Sequence, residues 1–182
     1  MISGNKTRLR SKSLADARND YTWQTDSELA QLDATPPLAM SFTKYLSAYV
    51  SELRYSTLLE RRFAIETLEG EHIGNCVYYG VDNTKAEAEL GIIIGNRNYW
   101  DKGYGSDAVT TLVNRIFCQT NINRLYLKTL DSNMRAQRCF KKCGFITCGR
   151  MVRDGFSFEI MEMHRKQWEE RQNELKEQSL FS

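Results

Sequence analysis

Apolar and polar residues follow two different periods along this chain, and the switches between them mark out most of its elements. Lys6 to Arg10 predicts a first strand, Asp16 to Trp23 a short helix, and Ser27 to Leu32 a second helical turn ended by Pro36 and Pro37. Behind Ser41 as N-cap, Phe42, Tyr45, Leu46, Tyr49, Val50 and Leu53 recur at helical spacing, which predicts a helix with one buried stripe. Arg62 to Leu68 and Ile73 to Val81 read as antiparallel strands joined near Glu69 and Gly70. Asp82 to Lys85 then turns the chain into a further strand, Glu87 to Ile94.

The second half alternates helix and strand. Ser106 to Cys118 carries Ala108, Leu112, Val113, Ile116 and Phe117 on one face, and Arg124 to Leu130 alternates Leu125, Leu127 and Thr129 against Tyr126 and Lys128. Asn133 to Cys143 is helical, with Gly144 at the C′ position. Two last strands, Ile146 to Val152 and Phe156 to Met163, flank the hairpin signal Asp154-Gly155. From His164 onward the chain reads as a charged helical tail, fraying and solvated. No repeat or low-complexity linker interrupts the pattern. It implies an α/β protein with one mixed sheet, helices on both sides, and a single domain over 1–182 whose core spans about 6–163.

Composition narrows the function classes. A chain of 182 residues buries a core that needs no covalent staple. The net charge of +2, with Lys and Arg scattered, offers neither nucleic acid nor an acidic membrane the basic cluster it rewards. No apolar run approaches the ~20 residues of a membrane span, and Met1 to Arg10 lacks a signal-peptide core, so a cytoplasmic location is expected. Five cysteines without a CxxC pair, and only His72 and His164 beside them, argue against a disulfide framework and against a metal site. Cys139 and Cys143, i,i+4 on one helix, read as small packing residues.

The chemistry concentrates between Glu89 and Asp107, ELGIIIGNRNYWDKGYGSD: an apolar strand, a polar connection, then paired glycines opening a helix. First-turn NH groups of a helix lack partners of their own and form an anion site. Lys102, Gly103, Tyr104, Gly105 and Ser106 would supply it, the glycines letting a diphosphate approach and Lys102 adding charge. GYGSDA also satisfies the dinucleotide fingerprint, with Asp131 ending an apolar strand downstream. That fingerprint needs glycines directly after the strand, whereas Asn96 to Lys102 separates Ile94 from Gly103.

The run YWDKGYGSDA resembles motif A of the GNAT superfamily of N-acetyltransferases, usually R/Q-x-x-G-x-G/A. It is most like the ribosomal-protein N-terminal acetyltransferase (RimJ/RimL-like) branch, where Trp commonly fills the first place, as Trp100 does here. Asn133, Ala136, Arg138, Lys142, Gly144 and Phe145 resemble the family's second signature, N-x-x-A/S-x-R-x-x-x-K-x-G-F, in the expected order. The resemblance implies acetyl-CoA as cofactor and a mixed, mostly antiparallel sheet of about seven strands, splayed between the fourth and fifth. The pantetheine arm would pair with Ile93, Ile94 and Gly95 like an added strand, while Asn133, Arg138 and Phe140 complete the cofactor's surroundings.

The resemblance further implies roles in catalysis. Histone acetyltransferases of this family carry a catalytic glutamate where this chain has Glu89, which makes Glu89 the candidate base; Glu87 shares its face. Another branch places its base five residues before the signature Asn, and that residue here is Lys128. Many relatives have a Tyr that protonates the CoA sulfur seven residues after that Asn, where this chain has Phe140, which cannot donate. Early helices and the final hairpin would form the acceptor lips, so Trp23, Asp26, Glu28, Asp33, Glu87, Phe156 and Glu159 are candidate substrate-binding residues. An N-terminal peptide amine is the expected acceptor. A polyamine or an aminoglycoside stays open, since AELGIII and the glycine motif resemble spermidine acetyltransferases too. A CoA-binding regulatory module without turnover is the reading of a different class, motivated by Phe140. Relatives often dimerise, so a homodimer is compatible with the family.

Overall fold

The computed structural model describes residues 1–54 and 61–180. Among them, eight strands form one sheet: β1 (Ile2–Ser3), β2 (Thr7–Ser11), β3 (Arg61–Thr67), β4 (His72–Asp82), β5 (Glu87–Ile94), β6 (Arg124–Leu130), β7 (Ile146–Arg153) and β8 (Phe156–His164). Their spatial order is β1-β2-β3-β4-β5-β6-β8-β7. Every neighbouring pair is antiparallel except the central β5 and β6. That parallel pairing extends only over Glu87–Arg124, Ala88–Leu125 and Glu89–Tyr126, after which the two strands part. Beyond that point β5 stays paired to β4 as far as Ile94, and β6 to β8 as far as Leu130. The expected α/β architecture and splayed centre are therefore present. The eighth strand, β1, is two residues long and too short to carry a readable period.

Because strand residues alternate faces, each side of the sheet has its own character. Cys76, Tyr78, Leu90, Leu125 and Leu127 are buried with Ala108, Val109, Leu112, Val113, Ile116 and Phe117 of α4 (Tyr104–Gln119) and Phe140 and Cys143 of α5 (Met134–Cys143). The apolar face foreseen for the helix after the glycine motif is thus the main core, each large side chain contributing about 1.5–3 kcal/mol by burial. The opposite face carries α1 (Ala17–Thr25), α2 (Ser27–Leu32) and α3 (Phe42–Arg54), and its contact with the sheet is polar. Arg10 bridges Asp16 and Glu66 at 2.6–2.8 Å. Asp20 of α1 accepts from Lys12 at 2.6 Å, Asn75 at 2.7 Å and the Tyr49 hydroxyl at 3.1 Å.

One expectation needs correction. The segment from Arg165 is helical, α6 (Arg165–Leu180), but its start is docked rather than solvated. Arg165 donates to the carbonyls of Phe117, Thr120 and Ile122, while Trp168 packs on Phe117 at 5.5 Å and donates to Asn114 at 2.7 Å. Arg165 thereby satisfies the Phe117 carbonyl in the last turn of α4 and the Thr120 carbonyl at its C-cap, a demand that charge density along the tail does not reveal. The tail's last two residues lie outside the described residues.

Burial works against the charge of Asp16, yet hydrogen bonds from Arg10 and the Ser13 amide outweigh it and hold the carboxyl at about 2. A carboxyl depressed on folding contributes stability above its unfolded value of about 3.9 and loses it as pH falls toward its folded value. Asp16→Asn should therefore cost about 2 kcal/mol at neutral pH, with the gap to the parent closing between about pH 4 and 2. Urea unfolding of both proteins across that range measures it; a gap independent of pH would refute the ion-pair account.

Candidate active site

The parting of β5 and β6 opens a cavity of about 360 Å³ that runs between the two helical layers. Its lining includes Ile92, Ile93 and Ile94 on one arm and Lys128, Thr129 and Leu130 on the other. The tips of both arms are held by side chains. The Trp100 indole donates to the Ile94 carbonyl at 2.6 Å, and Gln137 donates to the Leu130 and Asp131 carbonyls at 3.0 and 2.9 Å. Gly95 donates to Ile73 on the β4 side at 2.9 Å. Since backbone groups alternate along a strand, Ile93 also turns its NH toward β4, and that of Ile94 faces the opening.

At the cavity's edge Gly103 adopts φ 84°, a left-handed conformation that favours glycine, and starts α4. Gly103, Gly105 and Ser106 line the cavity, so the unsatisfied first-turn NH groups lie beside it. Lys102 is exposed and does not line it; its carbonyl accepts from Lys6 at 2.9 Å. Tyr104 turns away into an edge-on contact with Tyr99 at 4.8 Å. Asp107 ties α4 to the β1–β2 turn, accepting from the amides of Asn5, Lys6 and Thr7 at 2.9–3.0 Å.

The second signature meets the first across this opening. Asn133 lines the cavity and caps α5, its side chain accepting from the Ala136 amide at 3.2 Å. Arg138 and Phe140 also line it, Phe140 being 5% exposed and stacked edge-on against Phe145 at 5.9 Å. Trp100 is covered by the Arg135 guanidinium, 3.2 Å from the ring centroid, a cation–π contact that joins the two motifs. Cys139 lies 3.4 Å from the Ser106 hydroxyl, and Cys143, buried behind it, 3.4 Å from the Ser106 carbonyl.

Glu89 is buried at the inner end of the same cavity, where strand pairing stops. Its carboxylate accepts from Lys128 Nζ at 2.8 Å. Burial first, then the Glu89 charge and a hydrogen bond to it, push the hydroxyls of both Tyr79 and Tyr126 up from their ordinary value. Glu89 thus pairs with one ammonium and helps to raise the pKa of two neighbouring phenols.

The expected acceptor residues are less gathered. Trp23 packs flat on Gly95, whose absent Cβ would fall 2.0–2.4 Å from the indole. Glu28 and Asp26 are engaged by Arg97 at 2.7 and 2.8 Å, and Glu87 by Arg124 at 2.7 Å. Phe156 is exposed on the β7–β8 hairpin and lies outside the cavity; Phe158 lines it instead, with Leu29, Leu32 and Asp33 of the α2 region. A larger cavity of about 1220 Å³ adjoins, lined by Trp23, Tyr45, Tyr49, Arg61, Arg115 and others, and shares Leu29, Asp33, Tyr79 and Gly91 with the first.

Over residues 6–146 the chain matches the family described as Acetyltransferase (GNAT) domain. It is 28% identical over 138 residues to an uncharacterized N-acetyltransferase p20 of Bacillus licheniformis, covering 75% of this chain and 77% of that one. It is 26% identical over 157 residues to aminoglycoside N(6')-acetyltransferase type 1 of Klebsiella pneumoniae, covering 79% and 75%. Among solved structures, spermidine N-acetyltransferase from Vibrio cholerae in complex with CoA and spermine superposes with a TM-score of 0.79 at 20% identity, covering 89% of this chain and 97% of that one. At that identity the likeness speaks for the fold alone.

A hydrogen bond from Cys143, against the opposing effect of burial, lowers the Cys139 thiol, helped by Ser106, Lys142 and Arg135. Iodoacetamide labelling of Cys139, followed by peptide mass mapping, should therefore titrate below the ordinary thiol value of about 8.5. In Cys143→Ala the midpoint should rise. An unmoved midpoint would remove the Cys143 donor from the account.

Proposed function

We propose, from the premise that this chain belongs to the acetyltransferase (GNAT) domain family, that its acceptor is the N-terminal amine of a peptide and that Glu89 is the base. Family membership makes the protein an N-acetyltransferase that takes its acetyl group from acetyl-CoA. The observation that carries the site reading is a single cavity bounded at one end by the glycine turn of α4 and at the other by Glu89.

In this reading the first-turn amides of Tyr104, Gly105 and Ser106 hold the cofactor's diphosphate, with Arg138 and Lys142 adding charge at the rim. Each charge-assisted bond is worth about 1.5–3 kcal/mol. The open edge of β5 pairs with the pantetheine arm, and the Ile94 NH donates to the thioester oxygen as charge builds there. Trp100 and Arg135 brace the Ile94 arm without touching the reaction. Glu89 takes the proton of the attacking amine. Phe140 supplies an apolar wall and no proton, so the departing sulfur is protonated by the amine itself or by water.

The adjoining larger cavity takes the rest of the acceptor. Its described lining carries the carboxylates Asp20, Asp33 and Glu52 against the cations Lys12, Arg61, Arg62 and Arg115. A polycation finds no net attraction in such a lining, whereas a peptide with neutral or acidic side chains does not suffer from it. The RimJ/RimL-like character of Trp100 agrees with this. The named activities of the aminoglycoside and spermidine relatives keep those amines as the alternative. An acceptor panel of peptides, polyamines and aminoglycosides read by CoA thiol release decides between them.

Glu89→Gln should lower kcat about a hundredfold while leaving CoA affinity unchanged, as expected for loss of a general base. Stopped thiol-release assays and calorimetry measure the two; an undiminished kcat would remove Glu89 from the chemistry. At Gly105 an added Cβ would already sit 3.5 Å from the Cys139 sulfur and 3.6 Å from Ile94. The extra methyls of Gly105→Val should block approach to the α4 amides and weaken CoA binding at least ~tenfold. Unchanged CoA affinity would reject the anion site.

A further inference from the structure

The inner end of the cleft already holds a primary amine that belongs to the chain. Lys128 stands on β6 two residues beyond Tyr126, past the last residue paired with β5, and its ammonium crosses the gap to Glu89 at 2.8 Å. Both side chains line the cavity that includes Gly103, Gly105, Ser106 and Ile94. The Lys128 side chain is 28% exposed against 12% for Glu89, so the amine is enclosed but open to the cleft. The Tyr126 ring, 5.6 Å from Nζ, limits its swing. An alkyl amine held against the candidate base, in the cavity that would aim the thioester, has the arrangement required of an acceptor.

We propose that Lys128 is itself an acetyl acceptor: when no outside amine fills the cleft, the enzyme acetylates its own Lys128 and so closes its acceptor end. This rests on the cofactor and base assignments above. Glu89 takes one proton from the Lys128 ammonium and passes it to water. The freed nitrogen attacks the thioester carbonyl carbon, the C–N bond forms and the C–S bond breaks. The proton that the nitrogen then sheds goes to the departing sulfur, which leaves as the CoA thiol. The product, an Nε-acetyl-lysine, has lost its charge and can no longer pair with Glu89, and its acetyl group fills the space an incoming amine needs.

The test is incubation of the full chain with isotope-labelled acetyl-CoA in the absence of any amine, followed by peptide mapping. Label should accumulate at Lys128 at least ~tenfold faster than at the exposed Lys102 and Lys142, and Glu89→Gln should slow it by a similar factor. Preincubation should progressively lower thiol release with an accepted peptide amine. Lys128→Arg keeps a cation beside Glu89 but offers no comparable nucleophile, and this time-dependent loss should be absent from it. An unlabelled Lys128 under conditions where calorimetry shows CoA bound, or labelling that Glu89→Gln does not slow, overturns the proposal. If peptide amines are acetylated while Lys128 stays unlabelled, self-acetylation alone fails. If CoA binds and neither reacts, the base assignment fails with it.

Discussion

The parting of two parallel strands is the constraint on which the rest of this molecule depends. Every other neighbouring pair in the sheet is antiparallel, and β5 and β6 hold together for only three residue pairs before they diverge. Divergence exposes backbone donors and acceptors inside the protein, a cost that must be met by other partners. Here each arm keeps its outer neighbour for its full length, and each tip has a side chain on its free carbonyl, Trp100 on Ile94 and Gln137 on Leu130. The opening is therefore held as a structural feature, with the β5 edge beyond Glu89 unpaired by β6.

Charge is arranged differently on the two sides of that opening. The α4–α5 side is mainly apolar, and its buried polar side chains include Thr111 of α4 and Gln137 of α5. The α1–α3 side meets β2, β3 and β4 through polar contacts, beside an apolar cluster of Ala17, Tyr45 and Tyr49. Arg10, Lys12, Asp16, Asp20 and Glu66 are matched there by short hydrogen bonds, and further along the sheet Arg124 joins Glu87 and Glu162 at 2.7 and 2.6 Å. Glu89 and Lys128 form a further ion pair in the cleft. In that pair Glu89 is buried while Lys128 stays partly open to the cleft.

Much of the architecture was legible in local pattern. Gly144 ends α5 at φ 103° because a left-handed residue was required there, and Asp154-Gly155 makes the final hairpin. The face of α4 was foreseen because its apolar positions, Ala108 to Phe117, repeat over nearly three turns. Legibility failed where the deciding partner was distant in sequence. Nothing near Trp100 announces that Arg135 will cover it, and nothing in the tail's composition announces that Arg165 will close the end of α4. Phe158 lines the cleft where Phe156 was expected because Phe158 is the last β8 residue paired with β6, opposite Leu130, whereas Phe156 lies past the end of β6 at the hairpin tip, opposite Arg153. Glu28 and Glu87 carry the right charge for a cationic amine, yet both are engaged by arginines.

The amino-acid sequence by itself determined the order of elements, the glycine turn that begins α4 and the residue types available to the site, because each of these depends on backbone freedom and short-range periodicity. Only the tertiary structure decided which carboxylate meets which cation. Lys128 and Glu89 are 39 residues apart along the chain, and their 2.8 Å contact exists because a parallel crossover sets their strands side by side and then separates them. Such a contact depends on strand register, which is fixed by the packing of every neighbour and has no local signature.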